Sequence, residues 1–299
     1  MAWHKSSFYK VIEQIPIGVA VTLPEGTVEY ANPHLCRLLD ADGEALPITN
    51  LFKLRGREAV ALDEEIRRRL TADGSWQGET EFLTRGGGTC HVLEVVYPLH
   101  DEQGTTTHFI HFLQDISAHK HAEMLSSLAF YDSLTGLPNR NLLKDRLARA
   151  VATTQRNGTG FAVLYIDIDH FKQVNDKHGH DIGDELLHQF AARLQRGLRN
   201  SDTVARLGGD EFVAILEDMT DTQGAVQVVE KLLDACRGEY ELCGRRHCIT
   251  LSIGIGFYPD DALDVEALLR CADTAMYRAK TAGRDRYALS EPAGYCGIV

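Results

Sequence analysis

Carboxylates stand at two places in this sequence where a chain can bind a metal ion together with a phosphate. One is the run Gly208-Gly209-Asp210-Glu211, which separates two short apolar segments, 203–207 and 212–216. A glycine pair between apolar segments indicates a hairpin, because tight two-residue turns need positive φ angles. We therefore expect a hairpin that presents Asp210 and Glu211 at its tip.

The second place follows another apolar segment, Phe161–Ile166, which predicts a buried strand that ends at Asp167-Ile168-Asp169. A carboxylate at the end of a central strand, beside a second carboxylate on a hairpin, suits Mg²⁺. This ion takes one or two protein carboxylates and completes its shell with substrate phosphate. A lone G-G-D-E run would be better explained by an ordinary hairpin with a solvated acidic turn, so the second place strengthens the metal interpretation.

Seven segments, in this order, resemble the GGDEF domain of diguanylate cyclases from about Asp132 to Tyr287. They read D-S-L-T-G-L-P-N-R (132–140), D-I-D-H-F-K-Q-V-N-D (167–176), G-H-D-I-G-D (179–184), R-N-S-D (199–202), G-G-D-E-F (208–212), S-I-G-I-G (252–256) and A-M-Y-R-A-K-T-A-G-R (275–284). The resemblance implies a central sheet like that of nucleotidyl cyclases and polymerase palms, surrounded by helices. It also implies that two GTP molecules are joined into cyclic di-GMP with release of two pyrophosphates.

The resemblance assigns a metal site to the two groups of carboxylates. Asp167 and Asp210 match the family's ligands for Mg²⁺ (or Mn²⁺), together with the backbone carbonyl of Ile168. Glu211 matches the second acid of the motif, which is either a metal ligand or the base for the attacking 3′-hydroxyl. Each domain of this family holds one GTP, so the resemblance further implies a homodimer.

Base recognition is assigned to a carboxylate and an amide. A carboxylate can accept both N1–H and N2–H₂ of guanine, and adenine does not supply that pair of donors. Asp184 matches the family's guanine-reading acid and Asn175 the amide beside it, which favours GTP over ATP. The alternative is that Asp184 is the N-cap of a helix over 184–194.

Phosphate contacts are expected from basic side chains and from backbone N–H groups. Lys280 and Arg284 match the family's triphosphate clamp, and they share a face if the helix over 267–280 continues by one turn. Such a pair is by itself typical of a solvated helix face. The other expected substrate contacts are Lys172 and the loop that carries His170 and Phe171.

Arg199 and Asp202 form an R-x-x-D pair shortly before the hairpin. At this distance from Gly208 the pair matches the family's inhibitory site for cyclic di-GMP. An arginine can fork onto a phosphate or stack on a guanine, and an aspartate can accept from the guanine N–H edge. The alternative is a turn in which Arg199 pairs with Asp202 and has no further role.

The first 117 residues predict the order β-β-α-α-β-β-β, which resembles a PAS sensor domain. The residues that carry the resemblance are I-G-V (17–19), V-E-Y-A-N-P (28–33), G-S-W-Q-G-E (74–79) and D-I-S (115–117). A five-stranded antiparallel sheet with flanking helices is implied. The Asn-Cys dipeptide of photoreactive flavin domains is absent from the sequence, and the predicted helical region 49–70 has no histidine for haem. We therefore expect no tightly bound prosthetic group, or an unidentified small ligand.

Residues 118–131 predict a helix with Ala122, Leu125, Leu128 and Ala129 on one face. This helix either packs on its own domain or forms a short coiled coil with a second chain. The segment 132–140 is expected to brace the start of the following domain. The expected organisation is thus a two-domain α/β (α+β) chain: a PAS-like domain at 1–117, a linker at 118–131, a GGDEF domain at 132–290 and a tail at 291–299.

Composition limits the partners. The 299 residues include 31 basic and 43 acidic side chains, a formal charge of -12 that argues against nucleic-acid and anionic-membrane binding. The sequence contains no apolar run of about 18 residues, so we expect no transmembrane helix. Seven scattered cysteines without a C-x-x-C pair indicate free thiols, as in a reducing cytoplasm.

Three functions fit these observations. The first is a PAS-regulated diguanylate cyclase, and the alternative is a GGDEF domain that binds GTP or cyclic di-GMP and signals without catalysis. The third is a cyclase that makes 3′,5′-cyclic GMP. Such a cyclase shares the fold, but it lacks the G-G-D-E-F hairpin that this chain has. Domains without activity usually lose the acids of the hairpin or strand end. This chain keeps Asp167, Asp210 and Glu211, which favours the enzyme.

Overall fold

The computed structural model describes residues 5–40, 50–55, 59–219 and 221–291. Contacts divide the chain into two compact units, Met1–Leu125 and Ser126–Val299. Of the predicted tail at 291–299, residues 292–299 lie outside the described residues. None of the helices in the described ranges has the length and the apolar run that crossing a bilayer takes.

The first unit contains one antiparallel sheet of five strands in the order β2-β1-β5-β4-β3, which confirms the predicted fold class. Its elements are α1 (Lys5–Gln14), β1 (Gly18–Thr22), β2 (Val28–Ala31), α2 (Pro33–Leu38), a 3₁₀ helix (Leu51–Leu54), α3 (Ala59–Asp73), β3 (Trp76–Leu83), β4 (Thr89–His100) and β5 (Thr106–Asp115). Asn32 caps α2 by accepting from the N–H of Leu35, and Pro33 occupies the first turn, where its missing N–H costs nothing.

A buried polar cluster lies within this sheet's core. The carboxylate of Glu94 accepts from Nη2 of Arg55 at 2.6 Å and from Nδ1 of His111 at 2.8 Å. The other ring nitrogen of His111 lies 3.1 Å from the hydroxyl of Thr22. Burial opposes ionisation of Glu94, but the hydrogen bonds and charges of His111 and Arg55 outweigh it and lower its pKa. His111 is therefore a core residue whose two ring nitrogens both have protein partners.

The helix α4 (Ser117–Phe130) follows β5. All of its residues are exposed or half-buried. Met124, Leu125 and Leu128 are the most exposed of its large apolar side chains, at 61%, 66% and 55%. Among the described residues, this helix therefore presents an apolar stripe at the surface.

The second unit contains a five-stranded mixed sheet in the order β12-β11-β6-β8-β7, with helices on both faces, and a separate β9–β10 hairpin. Its elements are α5 (Arg140–Asn157), β6 (Gly160–Ile168), α6 (Phe171–His178), α7 (His180–Gly197), β7 (Thr203–Gly208), β8 (Glu211–Met219), α8 (Thr222–Cys236), β9 (Gly238–Leu242), β10 (Arg245–Ile249), β11 (Leu251–Tyr258), α9 (Val265–Thr281) and β12 (Arg286–Leu289). The central strand β6 is antiparallel to both of its neighbours, β8 and β11.

A glycine allows α9 to approach this sheet closely. A Cβ atom at Gly254 of β11 would lie 1.9 Å from the carbonyl oxygen of Ala272 and 2.2 Å from the backbone nitrogen of Met276. Any side chain at this position would push α9 away from the sheet. The close contact matters because α9 carries Lys280 to the end of β6, where the predicted metal ligands lie.

Candidate active site

The predicted hairpin joins β7 to β8 through a two-residue turn, Gly209-Asp210, since Gly208 pairs with Glu211. Gly208 has φ 141° and Gly209 has φ 54°, which explains the glycine pair. The expectation for Glu211 needs a correction. Only Asp210 lies in the turn, and Glu211 is the first residue of β8, because the strand pairing extends to the end of β6.

Asp167 and Glu211 are directly opposite each other on β6 and β8, so their side chains lie on the same face. Asp167 is only 6% exposed, and Nζ of Lys280 donates to its Oδ2 at 2.7 Å. Burial above all, and then the charges of Asp210 and Asp169, raise the pKa of Asp167 to about 6 against the lowering effect of Lys280. Negative charge is therefore concentrated where a cation would stabilise it.

Asp169 has a different environment from Asp167, although it stands only two residues further along the chain. Its carboxylate accepts from the hydroxyls of Ser252 and Thr250, both at 2.7 Å, and from the backbone N–H of Asp285 at 3.1 Å. These contacts tie the end of β6 to β11 and to the loop after α9. Asp169 is therefore a structural residue that holds the site together, a role the sequence analysis did not predict.

Tyr165 is a second residue that the sequence analysis missed. It stands two residues before Asp167 on β6, so the two side chains share a face. Burial first, and then the charges of Glu211 and Asp273, raise the pKa of its hydroxyl above the ordinary value. The Tyr165 hydroxyl is thus a neutral neighbour for the Glu211 carboxylate, and the period of two along the strand was the signal for it.

The carboxylates fit a metal that arrives with its substrate. In the part of the chain that the structure describes, no three His, Cys, Asp or Glu side chains converge closely enough to enclose an ion alone. Mg²⁺ does not require such a cage, because it retains waters and shares ligands with a phosphate. The ammonium of Lys280 contacts Asp167, so a positive charge already lies beside this carboxylate. The side chain of Ile168 belongs to the hydrophobic core, so a metal contact from this residue would come from its backbone carbonyl.

The start of α6 lies next to the metal ligands. His170 has φ 60° and precedes the helix, which begins at Phe171. The side chain of Phe171 is 8% exposed and belongs to the core, so this residue can reach a substrate only through its backbone. Lys172 is exposed. The first N–H groups of a helix have no partner within the helix, which makes this segment suitable for a phosphate.

Of the two predicted guanine contacts, Asn175 on α6 packs against α7, and Asp184 is an exposed residue of α7. A Cβ atom at Gly183 would lie only 1.8 Å from Oδ1 of Asn175, so the amide of Asn175 rests on the residue before Asp184. Oδ1 of Asn175 is buried and, among the described residues, has no hydrogen-bond partner. A buried acceptor of this kind calls for a donor. The helix α7 begins at His180, so the interpretation of Asp184 as an N-cap is wrong.

The expected basic pair is not arranged as an i, i+4 pair. The helix α9 ends at Thr281, and Arg284 follows it in a left-handed conformation with φ 61°. Lys280 contacts Asp167, whereas the Arg284 side chain is exposed on the loop. The condition for a shared helical face is therefore not met, because Gly283, with φ 115°, interrupts the helix between the two residues.

The R-x-x-D pair lies at the surface just before β7. Oδ2 of Asp202 accepts from the backbone N–H of Arg199 at 3.0 Å, and its Oδ1 accepts from the backbone N–H of Glu217 at 3.4 Å. Asp202 thus pairs with the backbone of Arg199 and closes the turn, which is the contact that the alternative in the sequence analysis named. The Arg199 side chain is exposed, so it is not part of the core.

Comparisons with known proteins agree with this geometry. The chain matches the family model described as "Diguanylate cyclase, GGDEF domain" over residues 129–286 and the one described as "PAS domain" over residues 16–118. The chain belongs to the GGDEF diguanylate cyclase family, and its GGDEF domain follows a PAS domain.

Sequence similarity to two relatives and to one solved structure covers different fractions of this chain. The bifunctional diguanylate cyclase/cyclic di-GMP phosphodiesterase MucR of Pseudomonas aeruginosa is 44% identical over 167 residues, which are 56% of this chain and 24% of MucR. The cyclic di-GMP phosphodiesterase PdeR of Escherichia coli is 36% identical over 296 residues, 97% of this chain and 44% of PdeR. This chain therefore spans less than half the length of either relative.

The solved structure is that of a truncated TpbB from Pseudomonas aeruginosa that comprises only its GGDEF domain. It is 41% identical, with a TM-score of 0.53, and the similarity covers 54% of this chain and 94% of that one. The mixed sheet and its surrounding helices are therefore the GGDEF fold that the sequence predicted.

Proposed function

We propose that this chain is a diguanylate cyclase, which condenses two GTP molecules into cyclic di-GMP and releases two pyrophosphates. The observation that carries the proposal is the pairing of Asp167 with Glu211 across β6 and β8, with Asp210 in the adjoining turn and Lys280 on Asp167. The match to the GGDEF family model supports it.

The residues divide the work of one phosphoryl transfer. Asp167, Asp210 and the carbonyl of Ile168 would hold Mg²⁺ or Mn²⁺, and Glu211 would be a further ligand or the base. The bound metal would neutralise the triphosphate and lower the pKa of the 3′-hydroxyl. The 3′-oxygen would then lose its proton, bond to the α-phosphorus of the other GTP and displace pyrophosphate. The 3′-oxygen of the second nucleotide would then attack the α-phosphorus of the first and displace the second pyrophosphate, which closes the ring.

Cations and N–H groups would bind the phosphates. Lys280 now donates to Asp167, and its ammonium can turn to the triphosphate once a metal neutralises that carboxylate. Arg284 on its exposed loop, Lys172 and the backbone N–H groups of His170 and Phe171 would complete the phosphate contacts. Among the described residues, Oδ1 of Asn175 has no hydrogen-bond partner, which supports a ligand with N–H donors, and with Asp184 it would select guanine over adenine.

Two chains are needed, because each domain would bring one GTP to the reaction. The exposed apolar stripe of α4 supports a homodimer through the segment 118–131, with the PAS domain at 1–117 setting the activity of the GGDEF domain at 132–290. Cyclic di-GMP would bind at Arg199 and Asp202 and lower turnover. Exposure of the Arg199 side chain supports that inhibitory site.

A second candidate is a domain that binds GTP or cyclic di-GMP and signals without catalysis. The observation in its favour is that PdeR, which matches 97% of this chain, is named for phosphodiesterase activity. Retention of Asp167, Asp210 and Glu211 favours the enzyme, because binding of a nucleotide alone does not require all three acids.

The test is turnover of GTP by the purified chain with Mg²⁺. We expect cyclic di-GMP from the wild type, at least a 100-fold loss in Glu211→Ala because charge at the reacting phosphate is no longer balanced, and no loss in Glu230→Ala. Glu230 is the matched control, since it is an exposed acid on α8. Wild-type activity in Glu211→Ala, or equal rates with GTP and ATP, would refute the assignment. Binding of GTP without product would favour the second candidate.

A further inference from the structure

Arg206, a residue of β7, links the catalytic hairpin to the beginning of the GGDEF domain. Its Nε and Nη2 donate to the carbonyl oxygen of Gly209 at 3.0 and 2.8 Å. Its Nη1 donates to both carboxylate oxygens of Asp132 at 2.9 and 3.1 Å. The Arg206 and Asp132 side chains are only 10% and 20% exposed, so solvent screens this contact weakly.

The contact with Gly209 bears directly on Asp210. The carbonyl of Gly209 belongs to the peptide group that begins Asp210, so holding that oxygen fixes the orientation of the peptide plane. Gly209 has no side chain of its own that could hold the turn, and its φ of 54° is open to a glycine but costly for most other residues. A guanidinium fork is rigid, so two N–H groups on one oxygen restrain it in direction as well as in distance.

Asp132 is itself fixed on the other side of Arg206. Its carboxylate accepts from the N–H and the hydroxyl of Thr135 at 2.9 and 2.6 Å. The backbone N–H of Arg206 donates to the carbonyl of Pro138 at 2.9 Å, so the turn 132–138 is bound to β7 twice. Asp132 stands two residues after α4 ends at Phe130. The side-chain part of the connection from α4 to the metal-binding turn therefore runs through the Asp132 carboxylate and the Arg206 guanidinium.

We propose that Arg206 is a positioning residue for this site: it orients the Gly209–Asp210 peptide for metal binding, and Asp132 holds Arg206 in place. The proposal rests on the proposed function, because it assumes that Asp210 is a metal ligand. It assigns to the segment 132–138 a part in the geometry of the site. A change at the end of α4 that moved Asp132 would reach Asp210 through Arg206.

The test compares Arg206→Lys with wild type in the full chain. Lysine keeps the charge but has no fork, so the hold on Gly209 is lost. We expect kcat to fall about 10-fold and the Mg²⁺ concentration for half-maximal rate to rise about 10-fold, since hydrogen bonds from charged groups are worth about that factor. The KM for GTP should stay within about 2-fold, because the guanine contacts at Asn175 and Asp184 are untouched.

Arg193→Lys is the matched control. Arg193 also donates to a backbone carbonyl, that of Glu239 at 2.6 Å, and it stacks on the ring of Tyr240, but it lies on α7 away from the hairpin. Loss of this contact should lower the thermal midpoint and leave the Mg²⁺ requirement unchanged. The proposal is overturned if Arg206→Lys shifts only the thermal midpoint, as Arg193→Lys does.

A binding measurement separates this proposal from the activity. Mn²⁺ titrated in the presence of GTP, followed by electron paramagnetic resonance, should bind about 10-fold more weakly to Arg206→Lys than to wild type, even if the wild type makes no product. Equal Mn²⁺ affinity would overturn the proposal while leaving the function intact. Should Arg206→Lys not fold, Asp132→Asn replaces it and should weaken Mn²⁺ binding in the same direction. Unchanged binding in that variant would also count against the proposal.

Discussion

Gly183→Ala is expected to impair guanine recognition without changing the metal ligands. An alanine Cβ at this position would lie 1.8 Å from Oδ1 and 2.9 Å from Cγ of Asn175, so the Asn175 side chain must turn away. Gly183 lies within α7, where alanine is a better helix former than glycine by about 1 kcal/mol. The helix itself should therefore not be weakened by the substitution.

The size of the effect follows from the contact that is lost. One hydrogen bond between neutral groups is worth about 0.5–1.5 kcal/mol, which corresponds to roughly a 2- to 13-fold rise in the KM for GTP. The kcat should change by less than about 2-fold, because Asp167 and Asp210 lie on other elements and only uniform binding is lost.

The assay is the initial rate of cyclic di-GMP formation for wild type, Gly183→Ala, Asn175→Ala and the double variant. Because the clash acts through Asn175, the double variant should have the KM of Asn175→Ala alone. Gly224→Ala is the control. Gly224 lies in a different helix, α8, and an alanine Cβ there would make only an ordinary contact of 3.4 Å with Oδ1 of Asp221. Additive losses in the double variant, or an unchanged KM in Gly183→Ala, would refute the reasoning.

Three further predictions concern the metal, the product and the dimer. The pKa of Asp167 is about 6 without metal, so a proton competes with Mg²⁺ below that pH. The half-saturating Mg²⁺ concentration should therefore rise about 10-fold per pH unit below pH 6. A half-saturating Mg²⁺ concentration that stays constant between pH 7 and pH 5 would contradict this. Arg199→Ala should relieve inhibition by added cyclic di-GMP in progress curves while leaving the initial rate within about 2-fold of wild type; equal slowing would remove the inhibitory role. Leu125→Asp with Leu128→Asp should dissociate the dimer in sedimentation at micromolar concentration, because burying two carboxylates in the stripe is unfavourable; an unchanged dimer would place the interface elsewhere.

The sequence predicted those parts of the fold that depend on neighbouring residues. The strands β6 and β8 come from continuous apolar runs, and the positive φ angles of Gly208 and Gly209 are the conformations for which glycine was expected. The juxtaposition of Asp167 and Glu211 also follows, because a strand end and a hairpin base meet once the two strands pair.

Contacts between distant elements could not be predicted in this way. The ion pair of Lys280 with Asp167 depends on how closely α9 approaches the sheet, and the pairing of Arg206 with Asp132 depends on the path of the turn 132–138. The end of α9, in contrast, was open to prediction. Gly283 is a common signal for the end of a helix, and it should have separated Lys280 from Arg284.

The most direct test of the account is the stoichiometry and the protein-concentration dependence of GTP turnover with Mg²⁺. The account predicts one cyclic di-GMP and two pyrophosphates for every two GTP consumed, and a specific activity that rises with protein concentration below the dimer dissociation constant, since two chains supply one GTP each. Asp210→Ala should abolish both products. Intact GTP in the presence of bound nucleotide, a monomeric 3′,5′-cyclic product, or a specific activity independent of protein concentration down to dissociated monomer would contradict the account.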